Sequence, residues 1–156
     1  MLSEFIIYGE HKNVLVNKYF YDSKNKLIKT SSFKRWEPGI DKVVKEEIYF
    51  LNSCHNINST YEYTIRNDKR ELSDIRIYKY DKKLNPYKNL LYIPISENYF
   101  NSNNVITCQY LEPKNHKVRF TIKKNYKYDN EDRLIREFND KSFESDSIVQ
   151  IYHYNN

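Results

Sequence analysis

The sequence predicts an all-β protein, an antiparallel and strongly twisted meander of about ten strands joined by hairpin repeats. Two observations predict this class. Apolar and polar residues alternate with a period of two over residues 117–128, and pairs of tyrosines two positions apart recur along the chain, three of them directly before an aspartate. A period of two places side chains on one face of a strand, and aspartate commonly starts a turn. No window shows the apolar stripe and caps of an amphipathic helix.

Residues 117–128 form the clearest predicted strand. Its apolar side is interrupted only by Lys124 and consists of Val118, Phe120, Ile122, Tyr126 and Tyr128. The alternate positions are basic or polar, which is typical of a sheet with one buried and one wet face. The segment is therefore expected to belong to an antiparallel sheet.

Shorter stretches with the same alternation, or rich in β-branched and aromatic residues, predict the other strands. These lie at 3–8, 13–21, 26–33, 43–51, 59–66, 72–80, 105–111, 133–138 and 147–154. The best helix candidate, 41–50, is mostly β-branched or aromatic at its apolar positions, so we expect a strand there. Ten strands in one flat sheet would leave a large apolar face uncovered, so we expect a curled sheet or half-barrel.

Two turns share one pattern of residue types. Residues 22–25 and 129–132 each begin with aspartate after an aromatic residue, end with Asn or Asp, and precede a cation and Leu-Ile. A type I turn followed by one left-handed residue closes a hairpin with a bulge. Glycine is scarce in this chain, so Asn25 and Asp132 are predicted to take the left-handed position.

One long connection, residues 85–104, breaks the alternation after Pro86, and 36–39 (Trp-Glu-Pro-Gly) mark a second turn. We expect one domain over 1–156 in which this long segment is an ordered cover. Its apolar side chains Leu90, Leu91, Ile93 and Phe100 are then predicted to pack on the sheet. The cover would either seal the core or border a ligand pocket.

Tyrosines define the predicted ligand site between that cover and the sheet. Its side chains would be Tyr61, Tyr63, Tyr78, Tyr80, Tyr87, Tyr92 and Tyr99. The alternative is that the rings pack against cross-strand neighbours and stabilise the sheet.

No catalytic, cofactor-binding or metal-binding motif is present. With only Gly9 and Gly39 there is no glycine-rich phosphate loop, and the four histidines have no metal-ligand spacing. Carboxylates on or beside predicted strands could act as a glycosidase pair, and include Glu46, Glu47, Asp74 and Glu112. Cross-strand partnering with lysine and arginine is the favoured explanation of them. We therefore expect no enzyme, no cofactor and no metal.

The net charge of +5 permits an anionic partner. The tightest basic stretch comprises Lys117, Arg119, Lys123, Lys124 and Lys127, and a solvated strand face would explain it equally. No apolar run is long enough for a membrane span, and the N-terminus lacks the basic start of a signal peptide. The protein is expected in the cell envelope or secreted if Met1 replaces a removed signal, and otherwise in the cytoplasm. Cys54 and Cys108 would form a disulfide after export or remain separate thiols.

The motif aromatic-x-Tyr-Asp-x-x-x-(Lys/Arg)-Leu-x-(Lys/Arg) resembles the tyrosine–aspartate repeats of Rhs-type proteins. Together with residues 80–89 and Asn103-Asn104-Val105, the chain is similar over about 14–154 to the Bacteroidetes envelope family DUF4595. The resemblance implies a twisted β meander without known activity, and it supplies no catalytic residue. The turns of this chain lack the glycine of that pattern, and no lipoprotein signal is present.

Two functions follow as expectations. The first is a non-enzymatic cell-envelope β-sheet module that binds or scaffolds an unidentified glycan or protein at the cell surface. The second is a binding protein for an anionic polymer, an acidic glycan or single-stranded nucleic acid, with nucleic acid the less favoured. That second function would use exposed tyrosines together with Arg66, Arg76, Arg119 and Lys123.

Overall fold

The computed structural model describes residues 2–8, 14–24, 27–37, 40–86, 88, 101–139 and 149–151. Its strands are β1 Leu2–Tyr8, β2 Val14–Tyr21, β3 Leu27–Glu37, β4 Ile40–Leu51, β5 Ile57–Arg66, β6 Lys69–Leu84, β7 Asn103–Leu111, β8 Val118–Tyr128, β9 Leu134–Asn139 and β10 Val149–Ile151. This part of the chain contains no helix, so the predicted all-β class is confirmed. The strand predicted over 41–50 is also confirmed, because β-branched and aromatic side chains favour the extended backbone there.

The strands follow one another in the sheet in chain order, and each pairs antiparallel with the next. Strands β1 to β8 form one continuous meander, and β9 and β10 extend it from the second half of β8. The predicted antiparallel meander is confirmed. Within the described ranges β1 and β10 do not pair with each other, so the sheet is not closed.

The β8–β9 turn has the predicted geometry. Asp132 lies at φ 62°, its N–H donates to the carbonyl of Asp129, and the N–H of Asp129 donates to the carbonyl of Arg133. The pairing shifts register between Lys127 and Tyr128, as a bulged hairpin requires. The prediction for Asp132 is confirmed, whereas its counterpart Asn25 lies outside the described residues.

We expect Asp132→Gly to be neutral or stabilising and Asp132→Val to lower the free energy of unfolding by about 1–2 kcal/mol. Glycine adopts a positive φ without strain, whereas a β-branched side chain clashes with its own backbone. The ion pair between Asp132 and Lys83 is exposed, so its loss in both variants contributes little. Urea unfolding checks the prediction, and equal midpoints for the two variants would contradict the turn assignment.

The sequence predicted a connection between residues 66 and 72 but not the type of turn or its length. Asn67 and Asp68 both have positive φ and join Arg66 directly to Lys69, which makes a two-residue hairpin of type I′. Strand β6 therefore begins at Lys69, before the predicted residue 72. His55 and His116 also occupy left-handed positions in the β4–β5 and β7–β8 turns, where glycine is absent.

Two strands extend beyond their predicted ends. Strand β3 continues to Glu37 and β6 continues past Asp81 to Leu84. Glu37 pairs with Ile40, so the chain reverses within the predicted turn at 36–39. The Asp81 carboxylate accepts the N–H of Lys83, but the result is an irregularity in the β6–β7 pairing and not a chain reversal. The predicted cover at 85–104 is also shorter, because β7 begins at Asn103. Its expected contacts through Leu90, Leu91, Ile93 and Phe100 lie outside the described residues.

Tyrosines supply much of the buried core. The core cluster draws on β2 to β7 and contains Tyr19, Leu27, Tyr49, Ile57, Tyr78 and Val105. These residues lie near the ends of β2 and β4 and the starts of β3, β5 and β7, so the core occupies one end of the sheet. Tyrosine hydroxyl groups inside the core form hydrogen bonds. The hydroxyl of Tyr80, for example, donates to the carbonyl of Ile57 at 2.6 Å.

Candidate functional site

Buried asparagines connect the two sides of the segment between β6 and β7. The amide oxygen of Asn56 accepts the N–H groups of Ser102 and Asn103 at 2.6 and 3.2 Å. Asn101 accepts the N–H of Ile57 at 2.7 Å, and Asn85 donates to the carbonyl of Asn101 at 3.0 Å. These side-chain amides thus form hydrogen bonds with backbone N–H and C=O groups that do not pair with a neighbouring strand. The arrangement fixes the start of β7 against β5 and the end of β6.

A carboxylate links this asparagine network to β8. Asp81 accepts the N–H of Asn104 at 3.2 Å and the hydroxyl of Tyr128, and Asn104 donates its amide N–H to that hydroxyl at 2.9 Å. The two sequence segments 80–89 and 103–105 that carry the family resemblance therefore meet in space. Their contacts serve the fold, because they hold β6, β7 and β8 together where regular pairing stops.

Strand β8 changes partners at its middle. Its pairing with β7 ends at Thr107 opposite Lys123, and its pairing with β9 begins at Lys124 opposite Asn139. The start of β7 and the end of β8 therefore separate, and we call this place the fork. A fork in a sheet leaves backbone and side chains of both strands facing a common space.

Two tyrosines bridge the inner end of the fork. The Tyr126 hydroxyl donates to the carbonyl of Val105 at 2.8 Å, while Tyr128 binds Asp81. Burial, followed by the negative charge of Glu137, raises the pKa of Tyr126 far above its ordinary value. Burial and the bond to Asp81 do the same to the pKa of Tyr128. Both phenols therefore stay neutral and remain hydrogen-bond donors at physiological pH.

The fork encloses an open cleft of about 370 Å³. It is lined by Asp81, Ile106, Thr107, Lys123, Lys124, Asn125, Tyr126 and Tyr128. Lys124 is occupied by an ion pair with Glu137 at 2.7 Å. The side chains of Thr107, Lys123 and Asn125, by contrast, make no hydrogen bond or ion pair with any residue in the described part of the chain.

Beside the cleft, exposed cations share one face of the sheet, and we call them the basic patch: Lys79, Lys123, Lys127 and Arg136. Lys79 and Lys123 flank Thr107 on neighbouring strands, and Lys127 lies directly opposite Arg136. None of the three lysines forms a salt bridge within the described ranges. The Arg136 guanidinium lies 5.6 Å from the centre of the Phe138 ring. The patch therefore presents four positive charges to solvent without a carboxylate partner among the residues that the structure describes.

The opposite face carries a carboxylate cluster whose charges are paired. The Arg76 guanidinium contacts Glu47 and lies 3.5 Å from Glu62, and Lys45 lies 3.3 and 3.0 Å from the same two carboxylates. Asp74 contacts Arg119. Burial by itself would raise the pKa of Glu47, but Arg76 and Lys45 lower it below its ordinary value. Burial raises the pKa of Asp74 despite the two arginines beside it.

Cross-strand cations thus account for three of the four carboxylates considered as catalytic candidates. The charge of Glu46 is paired as well, because Glu46 contacts Lys29 and lies 3.0 Å from Arg70. The fourth, Glu112, is exposed in the β7–β8 turn. Within the described residues, no group of three histidine, cysteine, aspartate or glutamate side chains is placed to hold a metal. Cys54 is exposed and Cys108 is half-buried, and no disulfide bond joins them.

The structure separates the tyrosines of the predicted ligand site. Tyr61 and Tyr63 alternate with Thr60 along β5, and Thr60 donates to the Tyr78 hydroxyl at 3.4 Å, so Tyr78 lies on the other face. Tyr78 and Tyr80 belong to the core. Tyr61 packs edge-on against Phe50, and Arg70 lies 3.6 Å from the ring centre of Tyr63. The remaining three, Tyr87, Tyr92 and Tyr99, lie outside the described residues.

Sequence reasoning identified only part of the basic patch. Lys123 and Lys127 belong to the basic stretch noted in the sequence, but Lys79 and Arg136 come from other strands. Of the cations considered for polymer binding, Arg76 and Arg119 belong to the carboxylate cluster, and only Lys123 lies in the patch. Thr107 and Asn125 carried no sequence signal, because strand register alone places them beside Lys123.

The fold and site define an antiparallel all-β meander with a forked edge and a basic face. No family model matches the sequence, and no curated protein matches it. Among solved structures, a porin-like protein from Bacteroides uniformis is similar over 95% of this chain and 93% of its own, with 10% identity and a TM-score of 0.26. That score is too low to establish a shared fold. In the described ranges no helix is both long and apolar enough to cross a membrane.

Proposed function

We propose that this protein is a non-enzymatic module that binds an anionic polymer through the basic patch. The observation that carries the proposal is the contrast between its two faces. On one face Lys45, Arg76 and Arg119 are matched by carboxylates, whereas the lysines of the patch have no partner among the described residues. Like charges directly opposite each other, as in Lys127 and Arg136, destabilise a sheet. A polyanion lying on the patch would relieve that repulsion.

An acidic glycan fits the patch better than single-stranded nucleic acid. Non-specific binding of single strands relies on aromatic side chains on which bases stack. The Phe138 ring lies beside the Arg136 guanidinium, and Tyr78 and Tyr80 are packed in the core. The binding surface in this proposal is therefore made of lysine and arginine, and exposed tyrosines contribute less than the sequence led us to expect.

The proposal includes the architecture and the location expected from sequence. About ten strands would form one strongly twisted sheet that curls into a half-barrel. Register shifts in seven of the strand pairings, from β2–β3 to β8–β9, support such curling, because bulges increase twist. A location in the cell envelope, where acidic glycans and scaffolding partners occur, agrees with the resemblance to the tyrosine–aspartate repeat and DUF4595 proteins.

Charge removal from the patch tests the function. We expect the triple variant Lys79→Gln, Lys127→Gln and Arg136→Gln to bind dextran sulfate about 10–100-fold more weakly. This range corresponds to about 0.5–1 kcal/mol for each lost exposed ion contact. Isothermal titration calorimetry or fluorescence anisotropy at several salt concentrations measures it, and the salt dependence should become shallower, as it does when phosphate contacts are removed.

The matched control removes the same three charges elsewhere. Arg66, Lys69 and Lys114 are exposed, lie in or near the turns at the far end of the sheet, and form no ion pair with residues in the described ranges. Their replacement by glutamine should leave the affinity within about twofold. If both triple variants lose affinity equally, only net charge matters and the patch is not a site.

A further inference from the structure

The fork cleft offers a set of binding groups that the basic patch alone does not. Lys123 supplies a positive charge, Thr107 a hydroxyl and Asn125 an amide, and none of them is engaged by another described residue. Hydroxyl and amide groups can both donate and accept hydrogen bonds. A ligand that matches all three therefore carries an anionic group together with hydroxyl groups.

The rest of the cleft wall is fixed. Tyr126 and Tyr128 are held by Val105 and Asp81, and Lys124 is held by Glu137. The Asp81 carboxylate accepts hydrogen bonds from Tyr128 and Asn104 and keeps its negative charge, so an incoming acid group is expected beside Lys123 and not beside Asp81. The wall is therefore held in shape by its own contacts, while the three available groups at its rim can adjust to a ligand at some cost in side-chain entropy.

The size of the cleft limits its occupant. A volume of about 370 Å³ lies near the lower end of the range of roughly 300–1,000 Å³ found for small-molecule sites. The space therefore suits a small unit such as a sugar residue. Lys123 belongs to both the cleft and the patch, so a chain lying across the patch would place one of its units at the cleft.

We propose that the fork cleft is a subsite for one uronic-acid residue of the polymer, an inference that rests on the proposed function. The sugar carboxylate binds Lys123, and the ring hydroxyls exchange hydrogen bonds with Thr107 and Asn125. Ile106 and the Tyr126 ring contact the apolar face of the sugar. In a heavily sulfated sugar the ester groups replace the ring hydroxyls, so few donors remain for the accepting oxygens of Asn125 and Thr107. The cleft thus selects a carboxylated sugar, while the patch attracts any polyanion.

A charge-neutral change in the cleft separates this subsite from the patch. The double variant Thr107→Val and Asn125→Leu keeps Lys123 and removes hydrogen-bonding groups that no described residue uses, so the fold should be retained. We expect its affinity for trigalacturonate to fall about tenfold or more, whereas its affinity for dextran sulfate stays within about twofold. The control, Thr121→Val with Asn58→Leu, changes the same residue types outside the cleft and should bind both probes like the parent.

The outcomes distinguish the subsite from the function on which it rests. If trigalacturonate binding is unchanged in the cleft variant, or falls only as much as dextran sulfate binding, the subsite is excluded while the polymer-binding module remains. If the parent binds neither dextran sulfate nor polygalacturonate, both proposals fail. Binding of uncharged dextran with the same affinity as trigalacturonate would also exclude an acid-selective cleft.

Discussion

Replacing Asn56 by alanine is expected to lower the free energy of unfolding by about 2–4 kcal/mol. Its side chain is 2% exposed, accepts the N–H groups of Ser102 and Asn103, and donates to the Asn103 amide oxygen at 2.9 Å. Alanine leaves these partly buried groups without their partner, and each unsatisfied group costs about 1–3 kcal/mol. Urea unfolding followed by circular dichroism measures the change.

Asn58, in β5 two residues after Asn56, supplies the control. Its side chain is exposed, and it makes no hydrogen bond within the described part of the chain. Asn58→Ala should shift the free energy of unfolding by less than about 0.5 kcal/mol. Equal effects of the two substitutions would mean that the asparagine network does not hold the start of β7, and the structural explanation of residues 101–104 would fail.

Replacing Arg76 by leucine is expected to destabilise the protein by about 2–4 kcal/mol at pH 7. The guanidinium contacts Glu47 and lies near Glu62 and Asp74, and its side chain is 12% exposed. Removal of one partner of a fully buried pair costs about 3–5 kcal/mol. Without Arg76, Lys45 remains beside Glu47 and Glu62, and Arg119 remains beside Asp74, so the carboxylates are only partly compensated. The loss expected for Arg76 is smaller because water still reaches the edge of this cluster.

The loss should diminish as the pH falls. In the parent the pKa of Glu47 lies below its ordinary value of 4.5, so its contribution is present above that value and disappears as the pH falls through the folded pKa. In the variant burial acts with one cation fewer, since Lys45 remains beside Glu47, and the pKa of Glu47 rises relative to the parent. Glu47 of the variant therefore binds its proton at a higher pH than Glu47 of the parent, and the gap in stability narrows as the pH falls.

Chemical denaturation at pH 7 and pH 5 checks this dependence. Arg66→Leu is the control, since Arg66 is an exposed arginine of the neighbouring strand without an ion pair among the described residues. It should cost less than about 0.5 kcal/mol at both pH values. A destabilisation by Arg76→Leu that is the same at both pH values would show that packing, and not carboxylate charge, causes it.

Local signals predicted the strands and one turn well. Period-two alternation located β8, and Asp132 takes the left-handed position that its place in a bulged turn predicted. The errors concerned strand ends. Asp81 was expected to end its strand, yet it lies inside β6, and β3 runs to Glu37 instead of ending at residue 33, because neighbouring strands provide hydrogen bonds that local turn preferences cannot match.

The candidate site was much less accessible to sequence analysis. The basic patch gathers residues from β6, β8 and β9, and the cleft exists because β8 exchanges β7 for β9 after Lys123. The sequence of one strand does not show how it aligns with its neighbours or where β7 and β8 separate. A shift of one residue in that alignment would move each side chain to the other face of the sheet. For the same reason, the described tyrosines among those singled out from the sequence, Tyr61, Tyr63, Tyr78 and Tyr80, divide between two faces.

The sequence by itself determined the all-β class and the antiparallel hairpins, because alternation and turn residues act over a few neighbouring positions. It also determined that tyrosine contributes to the core, since 39% apolar residues leave few other large side chains. The tertiary structure alone decided which cations are paired and which are exposed together. Pairing depends on contacts between strands, such as Arg76 with Glu47, and the register of the whole sheet fixes those contacts.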